Sequence, residues 1–197
     1  MRDPMTAAPP PAPGADQYVA LAFVNSAVAL PGGHFLDLLG TPATANRWLT
    51  AHELAPPDAG LLEVCAAQLR SLREHLKSLF ASRVAGLPAL PSALSAVNDA
   101  MSRAPTAALL YWDEKNGPYR AAPCPTNEIL DRALAVFSAN AADLLTGPDA
   151  ERLTRCDSPP CIRYLLRHGR RQWCSIRCGD RARAARAYAR RTRPDMT

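Results

Sequence analysis

The chain has 197 residues, 48% of them apolar, and a formal net charge of +5; this is enough apolar material for a buried core and excludes a wholly disordered polypeptide. No basic n-region leads into an apolar h-region at the start, and the longest apolar run, Tyr18 to Val24, is far too short to cross a membrane, so a cytoplasmic, reducing setting is expected. The charge is sharply divided: residues 152–193 hold thirteen arginines against Asp157 and Asp180, a balance of +11, whereas residues 1–151 have a balance of −5.

Residues 1–15 are rich in proline and small side chains that offer little to bury, and they are expected to form a disordered leader. From 16 to 148 the pattern is mostly helical. Gln17 to Leu30 places Leu21, Val24 and Val28 at helical spacing, its β-branched content leaves a strand open for the first half, and Pro31-Gly32-Gly33 ends the element. Thr41-Pro42 reads as an N-cap followed by proline at the first helical position, for a helix through Trp48 and Leu49 to about His52–Leu54. Asp58 is expected to cap the longest helix, in which Leu61, Leu62, Cys65, Leu69, Leu72, Leu76, Leu79 and Phe80 follow a three-four rhythm as far as Gly86. Ser92 opens a short helix to Arg103. Leu109 to Trp112, Asn116-Gly117 and Tyr119 predict a β-hairpin. Thr126 caps a further helix through Leu145, with Gly147-Pro148 as its stop.

A second unit, 149–193, is dominated by Cys156, Cys161, Cys174 and Cys178, in C-x4-C and C-x3-C pairs separated by twelve residues. In a reducing compartment such pairs converge on one tetrahedral zinc rather than on disulfides. Four sulfur ligands leave no position for water, which makes the metal structural. Pro159 and Pro160 stiffen the first loop. Ile162 to Leu166 is a strand candidate, His168-Gly169-Arg170 a turn, and Arg171 to Trp173 the returning strand. Ser175 can cap the helix that follows, whose start holds Cys178 and is electrically favourable for thiolates. Knuckle, hairpin and helix in that order make a treble-clef-like finger. The expected fold class is therefore mainly α: a helical N-terminal domain with one β-hairpin, then a small zinc finger of β-hairpin plus helix.

The helix after Cys178 sorts into three faces: Ala182, Ala185 and Ala189; Arg183, Arg186 and Arg190; and Arg177, Arg181 and Arg191 with Tyr188. If the alanine stripe lies on the knuckle or the body, arginines flank it on both sides and can reach a major groove or phosphates. Arg170, Arg171, Arg177, Arg181, Arg183, Arg186, Arg190 and Arg191 are the candidate nucleic-acid contacts, with DNA favoured and RNA kept open. A GC-rich codon bias explains much of the choice of arginine and less of its clustering. His168 reads as an exposed turn residue and Cys65 as core; Cys124, between two prolines, has no nameable partner. Asn25, His34, Asp37, Trp48 and His52 could line a ligand pocket, although helix caps, a hydrogen-bonded loop and a core tryptophan explain them better. The sequence holds no nucleophile–base–acid set, phosphate-binding glycine loop or H-E-x-x-H motif, so enzyme activity is not expected.

Trp173-Cys174-Ser175-Ile176-Arg177-Cys178-Gly179-Asp180-Arg181 resembles the W-C-S-M-x-x-C-G-N-R signature of the CGNR zinc-finger family, with the upstream C-x4-C also in place. Leu21-Ala22-Phe23-Val24-Asn25-Ser26, Asp37-Leu38-Leu39 and Trp48-Leu49 resemble the opening of the helical ABATE domain found in the same proteins. The resemblance covers 156–191 and 17–50, and between them only the helical character. It implies a zinc-binding, stress-related transcription regulator of bacterial type. In the leading reading the body senses a small-molecule effector or forms a homodimer, and the zinc module engages DNA. The alternative is a protein-interaction adaptor whose zinc scaffold docks an acidic partner. Two departures stand out: Asp180 replaces the family's asparagine, and the segment between the cysteine pairs is shorter than usual and lacks an acidic D-x-S-R-N-like stretch, which bears on any contact that hairpin makes.

Overall fold

The computed structural model describes residues 9–30, 33–104, 109–121 and 129–191. The expected cap at Thr126, Cys124 and the Pro31-Gly32 break lie outside them. Helix α1 (Val19–Val24) is followed by strands β1 (Ala27–Ala29) and β2 (Phe35–Asp37), paired antiparallel with Val28 opposite Leu36. The first element is thus helical in its first half and extended in its second, the reverse of the order that the β-branched residues suggest. Packing decides this: Phe23 on α1 stacks on Phe137 at 4.0 Å, and the Asn140 side chain accepts from the Ala20 amide at 2.9 Å, so burial and a satisfied helix start override the weak preference of Val19 and Val24.

Helix α2 (Pro42–Ala51) starts as expected, in a capping box where Thr44 N donates to Thr41 Oγ at 3.2 Å and Thr41 N donates to Thr44 Oγ at 3.1 Å. Helix α3 (Glu63–Ala85) ends where expected, at Gly86 in the left-handed region (φ 65°), with Leu87 N closing on the Ser82 carbonyl. Its start is different. Asp58 caps nothing, because Pro56 to Ala59 forms a turn and Gly60 (φ 62°) breaks the chain before Glu63. Helices α4 (Pro91–Arg103) and α5 (Ile129–Thr146) pack on α3 and on each other. Between them, β3 (Leu109–Asp113) and β4 (Gly117–Ala121) form the expected hairpin, with Asp113 accepting from the Lys115 and Asn116 amides. Leu110, Trp112 and Tyr119 on this hairpin are exposed.

The main core joins α1, α3, α4 and α5 around Leu21, Phe23, Leu69, Leu76, Phe80, Phe137 and Leu144. Trp48 is tilted against both Phe23 and Phe137, at 5.8 and 5.7 Å. The same core takes in Leu153, Tyr164 and Leu166 from the C-terminal unit. Those residues lie on β5 (Leu153–Arg155) and β6 (Tyr164–Leu166), an antiparallel pair that places Leu153 opposite Leu166. Here the expected hairpin is corrected: β6 pairs with the segment before the first cysteine, not with 171–173. Residues 170–172 are exposed arginine and glutamine with no apolar side chain to bury, whereas Leu153 has the flank of α3 to cover it. The Cys156–Cys161 knuckle therefore forms the loop that connects β5 to β6. Helix α6 (Ile176–Arg191) completes the chain.

Of the expected leader, residues 1–8 lie outside the described residues, and 9–15 are ordered against the rest of the chain. From Pro9 onward it lies on the protein: Pro13 O accepts from Leu166 N at 2.8 Å, Pro10 O accepts from Arg163 Nη2 at 2.9 Å, and Ala12 is buried among the cysteines. Prolines bury little and donate nothing, but their carbonyls supply the acceptors that β6 needs on its outer side.

Candidate metal centre

Each thiol is placed by a different local device. Cys156 follows β5 directly, with its amide on the Arg163 carbonyl at 2.8 Å; Cys161 closes a turn on the Ser158 carbonyl at 2.9 Å. Cys174 follows the exposed arginine loop. Cys178 lies in the first turn of α6, where its amide donates to Ser175 Oγ at 3.2 Å, the expected N-cap. Ser158 Oγ donates to the Cys178 carbonyl at 2.8 Å and ties the knuckle to the helix start.

The four Sγ atoms lie within 4.8 Å of one another, with Cys161 to Cys174 at 3.7 Å and Cys174 to Cys178 at 3.6 Å. A tetrahedron of zinc–sulfur bonds of about 2.3 Å has edges of about 3.8 Å, so this donor set fits zinc in distance, number and softness. All four cysteines are free and buried, at most 9% exposed. The protein binds one structural zinc here, and the closed shell leaves no position for a reacting ligand.

Four thiolates with one Zn²⁺ leave about two negative charges in a buried place, which must be answered nearby. Two arginines do so: Arg181, which the sequence pattern marks only as a nucleic-acid candidate, and Arg163, which that pattern does not mark. Arg163, 5% exposed, places Nη1 at 3.7 Å from Cys174 Sγ. Arg181 places Nη2 at 3.3 Å from Cys178 Sγ and donates from the same nitrogen to the Ser158 carbonyl at 3.0 Å. The Cys174 amide donates to Cys156 Sγ at 3.4 Å, and the Arg163 amide serves Cys161, so every sulfur has an N–H partner. Crowding of the thiols shows in their ionisation. A hydrogen bond from Cys156 pushes Cys161 down to about 3, while that same bond pushes Cys156 far above the usual thiol range. Only a cation lets all four ionise together. The signal for Arg163 in the sequence is its place two residues after a ligand, just before the buried Tyr164-Leu165-Leu166 run.

The other candidate arginines are divided by the structure. Arg170, Arg171 and Arg177 are exposed beside the centre, with Arg171 Nε donating to the Trp173 carbonyl at 3.1 Å. Arg183 and Arg186 stack over the Trp173 ring, at 5.6 and 5.4 Å, and Arg183 also pairs with Asp180 at 2.5 Å. Asp180 thus pairs with a nearby arginine, on a solvent-facing side of the helix. Arg190 and Arg191 are exposed at the far end. Arg181, part-buried, turns its guanidinium to Ser158 and Cys178 at the zinc centre. The alanine stripe is also corrected: only Ala182 is buried, while Ala185 and Ala189 face solvent, because α6 projects past the knuckle instead of lying on it.

Among the polar residues near the start, Asn25 turns out to be a structural clamp. Its Nδ2 donates to the Tyr164 carbonyl and its Oδ1 accepts from the Tyr164 amide, both at 2.8 Å. Asp37 accepts from Arg73 at 2.6 and 2.8 Å, and His34 is exposed. Trp48 and His52 stack at 3.8 Å. Cys65 is half-buried rather than fully in the core, and His168 is exposed, close to Arg152.

A family model described as "ABATE: Putative stress-induced transcription regulator" matches residues 18–148, and the CGNR zinc-finger model matches residues 152–191. No curated protein matches the chain.

Proposed function

This chain belongs to the ABATE family and carries a CGNR zinc finger; on that premise we propose that it is a cytoplasmic, non-enzymatic transcription regulator that binds DNA through α6. One observation carries the reading. After Ala182, α6 leaves the zinc centre, and from Arg183 to Arg191 every residue except the half-buried Ala187 is exposed. At 1.5 Å per residue that segment is roughly 13 Å long, comparable with the width of a major groove of about 12 Å. It presents Arg183, Arg186, Arg190 and Arg191, while Arg170, Arg171 and Arg177 stand beside its root. The zinc fixes the root, and the β5–β6 pair fixes the zinc to the body, so the helix is presented rigidly rather than on a tether. The acidic body repels the duplex and leaves the basic end to meet it.

The test is a salt titration of DNA binding by fluorescence anisotropy. Affinity should fall with log salt at a slope of about −0.9 for each phosphate contacted, and Arg186→Ala with Arg190→Ala should lower the slope by about two contacts. Binding that is absent, or indifferent to salt, removes the DNA function. A complex with an acidic protein that survives excess bulk DNA supports the adaptor reading instead.

A further inference from the structure

A cavity of about 300 Å³ lies where the leader, the body and the zinc module meet. This is the lower end of the size range of small-molecule sites. Pro9 to Ala12 form one wall, Ala22, Val28 and Leu38 supply an apolar floor, and Trp48, His52 and Arg163 bring the polar groups. Arg163 is buried, with Nη1 beside Cys174 Sγ and Nη2 donating to the Pro10 carbonyl, while its Nε is buried without a hydrogen-bond partner. Trp48 is 2% exposed and lines the cavity beside His52. His52 stacks on Trp48 and donates from Nδ1 to the Trp48 carbonyl at 2.8 Å, which fixes both rings at the wall.

We infer that this cavity binds a small monocarboxylate with an apolar body. A buried guanidinium N–H without a partner gains most from a charged acceptor. The Arg163 Nε–H, fixed in the plane of its guanidinium, gives that anion a directed donor. The apolar floor takes a ring or a branched chain. No acidic side chain lines the cavity to repel the carboxylate. Arg163 contacts both the ligand space and Cys174, so an occupant touches all three parts of the chain at once. Its action as an effector rests on the regulator reading; its binding does not.

The experiment uses the full zinc-loaded chain, titrated by calorimetry with benzoate, phenylacetate and 4-methylpentanoate, with phenylacetamide as the uncharged control. At least one carboxylate should bind at one site per chain. Arg163→Lys keeps the charge but removes the Nε–H and should weaken binding tenfold or more, as for a hydrogen bond to a charged group. Ala22→Leu should fill the floor and abolish binding. Both variants should retain zinc, and a variant that loses zinc is replaced by Val28→Leu, which fills the same floor from another element. The inference falls if no carboxylate binds at millimolar concentration, if the amide binds as tightly as its acid, or if the variants bind like the parent chain. Carboxylate binding without DNA binding keeps this site and removes the regulator reading; DNA binding without carboxylate binding does the reverse.

Discussion

Asn25→Ala should destabilise the whole protein, although Asn25 lies 139 positions from its partner and touches no metal ligand. The side chain serves both the amide and the carbonyl of Tyr164, as a neighbouring strand would, and Tyr164 is only 6% exposed. Alanine leaves two buried backbone groups without partners, each costing about 1–3 kcal/mol. The adjoining cavity, which Asn25 itself lines, can admit water and recover part of that. The expected net loss is about 2–4 kcal/mol, or roughly 5–15 °C in melting temperature for a chain of this size. Urea unfolding followed by tryptophan fluorescence, with zinc release recorded in parallel, measures it. The loss should fall on one transition, because Leu153, Tyr164 and Leu166 share the core of α3 and α5. A change below about 0.5 kcal/mol, or a zinc module that melts alone while the body keeps its stability, would refute this account of how the two units are joined.

Arg181→Gln should weaken zinc binding about 10- to 100-fold in competition with a chromogenic chelator, since it removes a charged donor to Cys178 Sγ; unchanged affinity would show that this guanidinium does not support the metal. Asp37→Asn should cost about 2–3 kcal/mol, below the usual range for a broken buried pair because Asp37 is 31% exposed while Arg73 is 5% exposed. Burial pulls the Asp37 carboxyl upward, but the Arg73 hydrogen bonds and the Leu39 amide outweigh it and hold it below the ordinary value. The pair's stabilisation is therefore complete above about pH 4 and is lost as pH falls through the lower, folded-state value, so parent and variant should converge in acid denaturation. Gly14→Ala should lower the melting temperature by the equivalent of about 1–3 kcal/mol, because Gly14 has φ 90° and an added Cβ would lie 2.5 Å from Leu166; an unchanged value would mean that the leader does not pack there.

The parts of this molecule that could be read from sequence are those whose cause is local. Thr41-Pro42 caps α2, Gly86 ends α3, and Ser175 caps α6 because each needs only its own neighbours. The zinc ligands were legible for a similar reason: short spacing, one soft metal and few alternatives. Where the outcome depends on distant partners, the sequence misleads. The segment nearest to β6 downstream looks like its partner strand, but the core of α3 selects Leu153 upstream. The prolines of the leader have no apolar pattern, so nothing local reveals that their carbonyls serve β6. Arg163 and Arg181 looked like members of a basic tail, yet their side chains turn inward once four sulfurs gather charge beside them.

That inward turn changes how the basic end should be understood. Of the thirteen arginines in 152–193, Arg163 and Arg181 balance the zinc–thiolate charge, Arg152 holds Asp149, and Arg183 is shared between Asp180 and Trp173. The positive surface left to a polyanion is narrower than the net charge suggests, and it gathers at the root and along the free length of α6. Metal, hairpin and leader all act on that root: zinc gathers Cys174 and Cys178, β6 carries Arg163 to them, and Pro10 holds the same arginine from the other side. Loss of zinc would therefore leave the buried Arg163 and the part-buried Arg181 without their counter-charge, pushing the knuckle and the start of α6 apart while Asn25 still grips β6. The helix would lose its fixed direction before the body lost its fold, and it is the direction of α6, more than its charge, that a groove requires.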